Sequence, residues 1–482
     1  MNFHYSYLLS ETNNIISEKK NSYLFLTERH IQAVWFEQKY FKNLVTPEGH
    51  AVEVLSPGIW NGEAGPDFLK AHLRVGDKEM RGDVEIHLVD EGWTQHRHQQ
   101  DARYDQVVFH LSYWNPRTSK PIIKQNGEPV VQAYLEKHLT VPPTRLLQLI
   151  DLDLYPYKKF VGSGKCAKTL FNTQSKEHIQ TLFEGAADWR LLKKNSFLCA
   201  QSDDLRTRIL FGIASALGYK HNTEAFRSLF VILNDLKHLP AETLAALGCG
   251  IAGFFQEKYV IKWGKSSFYS HLKVLFFDYT EQHQDVDYKV PMITNQVRPL
   301  NHPIRRLAYL VKLIKSSDAS QLNELVENLW GNAWPLLKTG KACRQFSGEM
   351  KALIPVFEDI YWNKYYTFEE LPKDAYLTLM GEDVKTEILV NTFLPLLYAK
   401  IAERGRSEEL KAFKRFYRII PPAKTRKSQY LVHRFFGDMA KGSVMKKALM
   451  EQGAYQLHHD FCVHHEASCE GCPFVERYKA LR

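Results

Sequence analysis

The chain has 482 residues, enough for two or three domains and a large core. An apolar fraction of 44% and a charged fraction of 24% are ordinary for a folded globular protein and exclude a disordered or fibrous one. The net charge of +9 leans toward a polyanionic partner, and seven cysteines in so long a chain exclude a disulfide framework.

Residues 1–26 have no basic region followed by a long apolar core, so they do not read as a signal peptide. No stretch reaches the roughly 18 apolar residues of a spanning helix, and a cytoplasmic, reducing location is expected. The first element is a helix from Glu28 to about Tyr40, capped by Thr27, with Ile31, Val34 and Trp35 on one face. Strand-like runs follow over 51–55, 68–75, 80–89, 106–113 and 129–135, and turn signals stand at Ser56-Pro57-Gly58 and Val75-Gly76-Asp77. In residues 83–89, alternation places Asp83, Glu85 and His87 on one face and Val84, Ile86 and Leu88 on the other.

Acids and histidines concentrate here. Gly65-Pro66-Asp67-Phe68 opens one strand-like run, and Glu85-Ile86-His87 sits in the next. Trp93, His96, His98, Asp101 and Tyr104 come soon after, and His110 precedes Ser112 in the following strand. Imidazoles and carboxylates are the usual ligands and proton shuttles of hydrolytic metals. His72 and His110 read equally well as structural residues. Glu28 reads equally as a metal-site acid and as a helix-dipole partner.

Pro66-Asp67 followed by Glu85-Ile86-His87 resembles the signature of the PD-(D/E)xK nuclease superfamily, with His87 in the lysine position. A helix followed by three strands, with acids on the second and third, is also the order of that nuclease core. The resemblance implies a restriction-endonuclease-like α/β domain, a mixed sheet with flanking helices, over residues 1–141. It further implies that Asp67 and Glu85 hold Mg²⁺ or Mn²⁺ and that His87 stands beside the attacking water. His96, His98 and Asp101 are then expected to line the site or hold the scissile phosphate.

After Val141-Pro142-Pro143 the pattern turns helical, and a large all-α domain is expected over 142–450. Ile179, Leu182, Phe183 and Ala186 recur at helical spacing, as do Leu205, Ile209, Ile213 and Leu217, with Gly218 as a stop signal. Further helices are expected over 223–234, 240–257, 303–315, 319–330, 345–360, 384–401 and 428–450. Gly162-Ser163-Gly164-Lys165-Cys166 is not a P-loop, because Lys159 stands where the motif needs glycine and Cys166 where it needs Ser or Thr. Lys411, Lys414, Arg415, Arg418, Lys424, Arg426, Lys427 and Arg434 interleave with Phe413, Phe416, Tyr417, Tyr430 and Phe435. Cations on phosphates and rings on bases would suit a single-stranded nucleic acid. A solvated basic face over a buried aromatic one is the competing reading.

The last segment, 451–482, carries Cys462-x6-Cys469-x2-Cys472-Pro473. Thiolates at x2 spacing wrap one metal or one corner of an iron–sulfur cluster, so an iron–sulfur cluster or zinc is expected. The loop resembles the iron–sulfur loop of endonuclease-III-like glycosylases, but no cysteine follows Cys472. The fourth ligand is left among His458, His459, His464, His465 and a distant thiol such as Cys166.

The chain as a whole resembles the bacterial family called domain of unknown function 2851. The matching stretches are Pro57-Gly58, Asn61, 65–68, 82–87 and Trp93 through Tyr104, then His221-Asn222, Arg298-Pro299, Pro303, 305–308, Asn391, Leu394-Pro395, Gln452-Gly453 and the terminal cysteines. That resemblance supports the architecture and implies no activity. The expected function is metal-dependent hydrolysis of phosphodiester bonds in DNA or RNA. The alternatives are an inactive nucleic-acid-binding scaffold on the same fold and a zinc hydrolase of a small substrate built on His87, His96, His98 and His110.

Overall fold

A computed structural model describes residues 5–10, 26–62, 64–116, 120–150, 152, 155, 163–283, 289–290, 292–294, 297–316, 321–368, 372–423, 425–437, 445–463, 469 and 472–481. The chain divides into two compact units. The first is Met1–Trp189 with Lys424–Lys446 and Met450–Arg482; the second is Arg190–Ala423 with Lys447–Leu449. Residue 141 does not mark the division, a boundary does fall between residues 449 and 450, and the first unit holds both the sheet and the cysteine-bearing segment.

The sheet of the first unit has seven strands: β1 (Val52–Ser56), β2 (Ile59–Trp60), β3 (Phe68–Val75), β4 (Lys78–His87), β5 (Val107–Ser112), β6 (Ile122–Ile123) and β7 (Pro129–Tyr134). Their order is β1-β3-β4-β5-β7-β6, with β2 paired to β3. β1, β3 and β4 are antiparallel; β4–β5 and β5–β7 are parallel; β6 returns antiparallel to β7. The mixed sheet and a preceding helix were legible in the sequence, whereas β2 and β6 are too short to carry a periodic signal.

The helix Glu28–Glu37 buries Ile31, Val34 and Trp35, and Trp35 stacks on Phe109 with centroids 5.6 Å apart. Ile86, Leu111, Ala133 and Leu135 join them in one core. The backbone N–H of Thr27 donates to His30 Nδ1 at 3.2 Å, and the helix ends where Gln38 turns left-handed. A smaller core of Trp93, Tyr104, Val107, Ile122 and Val130 packs separately.

The second unit is helical, as its periodicity predicts. Helices Leu205–Leu217 and Pro303–Lys315 match the sequence reading. Gly218 is not a left-handed stop: its φ is −65° and the next helix, Tyr219–Asp235, starts at once. A β-carbon on Gly218 would stand 2.4 Å from backbone atoms of Asn222 and Thr223, so close approach explains the glycine better than chain reversal. The run expected over 240–257 breaks into Ala241–Ile251 and Glu257–Trp263. The run over 384–401 contains a π-helical turn, Leu389–Phe393. The run over 428–450 stops at Phe436, where Gly437 takes φ +63°.

The rings of Phe413, Phe416 and Tyr417 are buried, as is Phe435. They belong to packed cores and are not stacking platforms, which corrects that part of the nucleic-acid expectation. Lys414, Arg415 and Arg418 lie on the helix Ser407–Ile419 in the second unit, and Arg415 Nε donates to the Leu337 carbonyl at 3.1 Å. Lys427 belongs to the first unit; Lys424 and the side chain of Arg426 lie outside the described residues.

Candidate metal centre

The loop before β3 is fixed first. Asn61 donates its side-chain N–H to the Pro66 carbonyl at 2.8 Å and its backbone N–H to the Asp67 carbonyl at 2.8 Å. Gly65 takes φ +119°, a conformation that L side chains rarely adopt, and so delivers Pro66-Asp67 onto the sheet. Asp67 Oδ2 then accepts from the Ile86 N–H at 3.1 Å, while Glu85 Oε2 accepts from the Asp67 N–H at 3.0 Å. Each carboxylate is locked by the other residue's strand. Asp67 is 4% exposed and Glu85 5%, so burying these acids has to be offset by such bonds and by cations.

β4 carries Glu85 and His87 to the same end of the sheet. The chain then forms a short helix, Glu91–Gln95, and two 3₁₀ turns, His98–Gln100 and Ala102–Tyr104. Gly92 has a steric role: a β-carbon there would stand 2.5 Å from the His87 ring. Arg97 adopts a left-handed φ of 61° between His96 and His98. The outcome is a trio in which one ring nitrogen from each of His87, His96 and His98 lies within 4.8 Å of the other two.

Glu85 joins the trio. Its Oε1 is 3.1 Å from His98 Nε2 and 3.6 Å from His87 Nε2. His87 Nε2 is 3.1 Å from His96 Nδ1. The His98 ring stacks on Tyr104 at a centroid distance of 3.8 Å and meets Trp93 edge-on. Burial, with the nearby charges of Glu85 and Asp67, keeps the Tyr104 hydroxyl well above its ordinary pKa, so it stays a neutral donor.

Behind the trio lies a relay that the sequence did not reveal. His87 Nδ1 is 2.8 Å from His110 Nε2, and His110 Nδ1 faces Asp90 Oδ1 at 3.8 Å. Asp90 accepts from Ser112 Oγ at 2.6 Å, Tyr134 Oη at 2.7 Å and Gln132 Nε2 at 3.3 Å. Burial lowers the His110 pKa to about 3, with repulsion from His98 adding, so His110 is neutral. Asp90 Oδ1 is too far for a hydrogen bond, but its charge favours the tautomer with Nδ1–H on its side, in which His110 Nε2 accepts from His87 Nδ1–H. In that tautomer His87 would present its Nε2 lone pair to the trio, as a metal-binding histidine does.

The other expected residues lie elsewhere or have other work. Asp101 is the cap of the second 3₁₀ turn and is held by Arg103, whose guanidinium lowers the carboxyl to about 2. His72 pairs with Glu79 at 3.0 Å on the exposed part of β3, and Asp83 accepts from the Lys70 N–H. Asp90, Ser112, Gln132 and Tyr134 were not singled out as site residues. The two-residue spacing of Gln132 and Tyr134 on β7, beside His110 and Ser112 on β5, was the available signal.

The cysteines form a second cluster in the same unit. Cys166, Cys462, Cys469 and Cys472 line one cavity with Arg434, Phe435, Leu457, Phe461 and Phe474. Among the described residues, Cys166 is the candidate fourth partner that lines this cavity. His459 pairs with Asp460 at 2.9 Å, and His464 and His465 lie outside the described residues. Burial drives the Cys462 thiol up to about 12 and raises Cys166 and Cys472 as well.

No curated protein and no solved structure matches the chain. A family model does match, over residues 28–426, which takes in the whole acid–histidine site and Cys166 but stops short of Gln452-Gly453 and the terminal cysteines. The match covers most of the chain, and the protein therefore belongs to the family described as "Protein of unknown function (DUF2851)".

Proposed function

We propose that this protein is a metal-dependent hydrolase, with an ion held by Glu85, His87, His96 and His98 beside Asp67, acting on phosphodiester bonds of DNA or RNA. The observation that carries the reading is the meeting of a buried carboxylate with the imidazole trio: Glu85 Oε1 lies 3.1 Å from His98 Nε2 and 3.6 Å from His87 Nε2. Oxygen and nitrogen donors at such spacing can converge on one ion, whose bonds are about 2.0–2.2 Å long. Imidazole donors favour Mn²⁺ or Zn²⁺ over Mg²⁺, which prefers an oxygen shell. A bound ion of this class supplies Lewis acidity toward a phosphoryl oxygen and a water of lowered pKa.

The protein groups have separate tasks. Asp67 and Glu85 concentrate negative charge and hold each other's orientation through the two backbone bonds. His110 Nε2, 2.8 Å from His87 Nδ1, can hold the His87 proton on Nδ1 and leave His87 Nε2 toward the ion. The nuclease-type substrate is supported by the helix followed by three antiparallel strands, with Asp67 just before the second main strand and Glu85 on the third, and by the net charge of +9. The imidazole-rich donor set favours a second reading, a zinc hydrolase of a small substrate.

The test is cleavage of labelled single- and double-stranded DNA and RNA with Mn²⁺, Zn²⁺ or Mg²⁺, comparing wild type with Asp67→Asn, Glu85→Gln and His98→Gln. Cleavage by wild type that is lost in Glu85→Gln and His98→Gln supports the proposal. Cleavage that survives Glu85→Gln refutes the site. No cleavage, with one zinc per chain that disappears in His98→Gln, selects the small-substrate reading.

A further inference from the structure

Cys166 and Cys462 are separated by most of the chain, yet they line one cavity with Cys469 and Cys472. Cys166, Cys462 and Cys469 are each less than 9% exposed. The cavity is narrow and partly open to solvent. Its wall is apolar where Phe435, Leu457, Phe461, Phe474 and Val475 face it.

Two features show that the thiols are positioned together and not merely buried. Cys469 has a left-handed φ of 58°, uncommon for a residue with a β-carbon and frequent where geometry is dictated by a site. The guanidinium of Arg434, itself 1% exposed, donates to Cys469 Sγ at 2.9 Å and also bonds to Cys462. A buried cation against sulfur suits sulfurs that carry negative charge. Cys166 is held from the other side: Gly164 N–H donates to the Arg434 carbonyl at 2.7 Å, and a β-carbon on Gly164 would come within 3.3 Å of Cys166 Sγ.

The spread of the sulfurs favours a cluster over a single ion. A tetrahedral zinc with Zn–S bonds of about 2.3 Å would draw its four sulfurs to within about 3.8 Å of one another. Among the described residues, the histidine trio is the group of three potential ligand atoms mutually within 4.8 Å; no three of these sulfurs are. A cuboidal cluster binds each thiolate to a different iron and so keeps the sulfurs further apart. We propose that Cys166, Cys462, Cys469 and Cys472 ligate a [4Fe–4S] cluster that ties the C-terminal segment to the chain at residue 166, with Arg434 hydrogen-bonded to its thiolates. This stands apart from the acid–histidine site and does not depend on what that site does.

The experiment is anaerobic purification of the full chain with iron and sulfide supplied for reconstitution, followed by iron, acid-labile sulfide and zinc analysis and visible absorption. Wild type and Cys199→Ser, a thiol outside the cavity, should each hold four irons and four sulfides per chain with broad visible absorption. Cys166→Ser should lose at least half of the iron and bleach that absorption. Arg434→Gln, which keeps all four thiols, should keep the iron and shift the reduction potential. One zinc per chain without sulfide would overturn the cluster assignment, and full iron retention in Cys166→Ser would overturn the role of Cys166. Should Cys166→Ser fail to fold, Cys472→Ser tests the same site at its most exposed ligand; the same readings decide.

Discussion

His110 and His302 are both buried imidazoles whose surroundings lower their pKa, but they do different work. His110 has its place between Asp90 and His87, where it stays neutral and shares a hydrogen bond with His87. His302 caps the helix Pro303–Lys315: its Nδ1 accepts the Ile304 N–H at 3.3 Å, and burial, with Lys262 and Arg305 nearby, lowers its pKa to about 4. A protonated imidazole has no lone pair at Nδ1 with which to accept. Between pH 6.5 and 4 the unfolded chain therefore binds a proton at this position that the folded chain does not. Stability from His302 is complete above pH 6.5 and is lost as pH falls through that window, at a slope approaching about 1.4 kcal/mol per pH unit. His302→Asn keeps a capping acceptor without a titrating group. Urea unfolding at pH 7, 5.5 and 4.5 should show a shallower acid loss in the variant, and identical slopes would exclude His302 as a source.

Within the same helix, Arg305 and Arg306 fasten residues 353–368 and 372–381, which form neither helix nor strand. Arg305 is fully buried and donates to the carbonyls of Trp362, Tyr365, Leu377 and Thr378, while Arg306 donates to Leu379. Carbonyls in such a stretch have no ladder of their own, so the guanidinium provides it. Burial lowers the Arg305 pKa only to about 10, which leaves it charged at neutral pH. Arg305→Met leaves several buried acceptors unpaired and should cost about 3 kcal/mol or more. It should also make residues 353–381 the first site of limited proteolysis. Arg305→Lys should recover only part of the loss, because a point charge cannot reproduce the planar fork. Elements of this kind mark how far the sequence could be read. The strand 68–75 and the helices 205–217 and 303–315 had full periodic signatures. The partners of Arg305 are backbone carbonyls, which leave no mark in a sequence. That Asp67 and Glu85 lie side by side was legible from their pattern, whereas the approach of His110 to His87 depends on β5 pairing parallel to β4, a register that local spacing does not encode.

At the scale of the molecule, two compact units should not unfold as one. Calorimetry of the full chain should resolve two transitions. Cys166→Ser and Cys472→Ser should lower the one belonging to the sheet-bearing unit and leave the other in place; a single transition that moves as a whole would contradict this. The first unit is also discontinuous, since residues 190–423 lie between its parts in sequence. That ordering has a consequence during synthesis. Cys166 leaves the ribosome roughly 300 residues before Cys462, which at about 5–20 residues per second leaves it waiting for about 15–60 s. During that interval a thiol meant for the interior is exposed to oxidants and stray metals, and the unit cannot close around it until the intervening helices have been made.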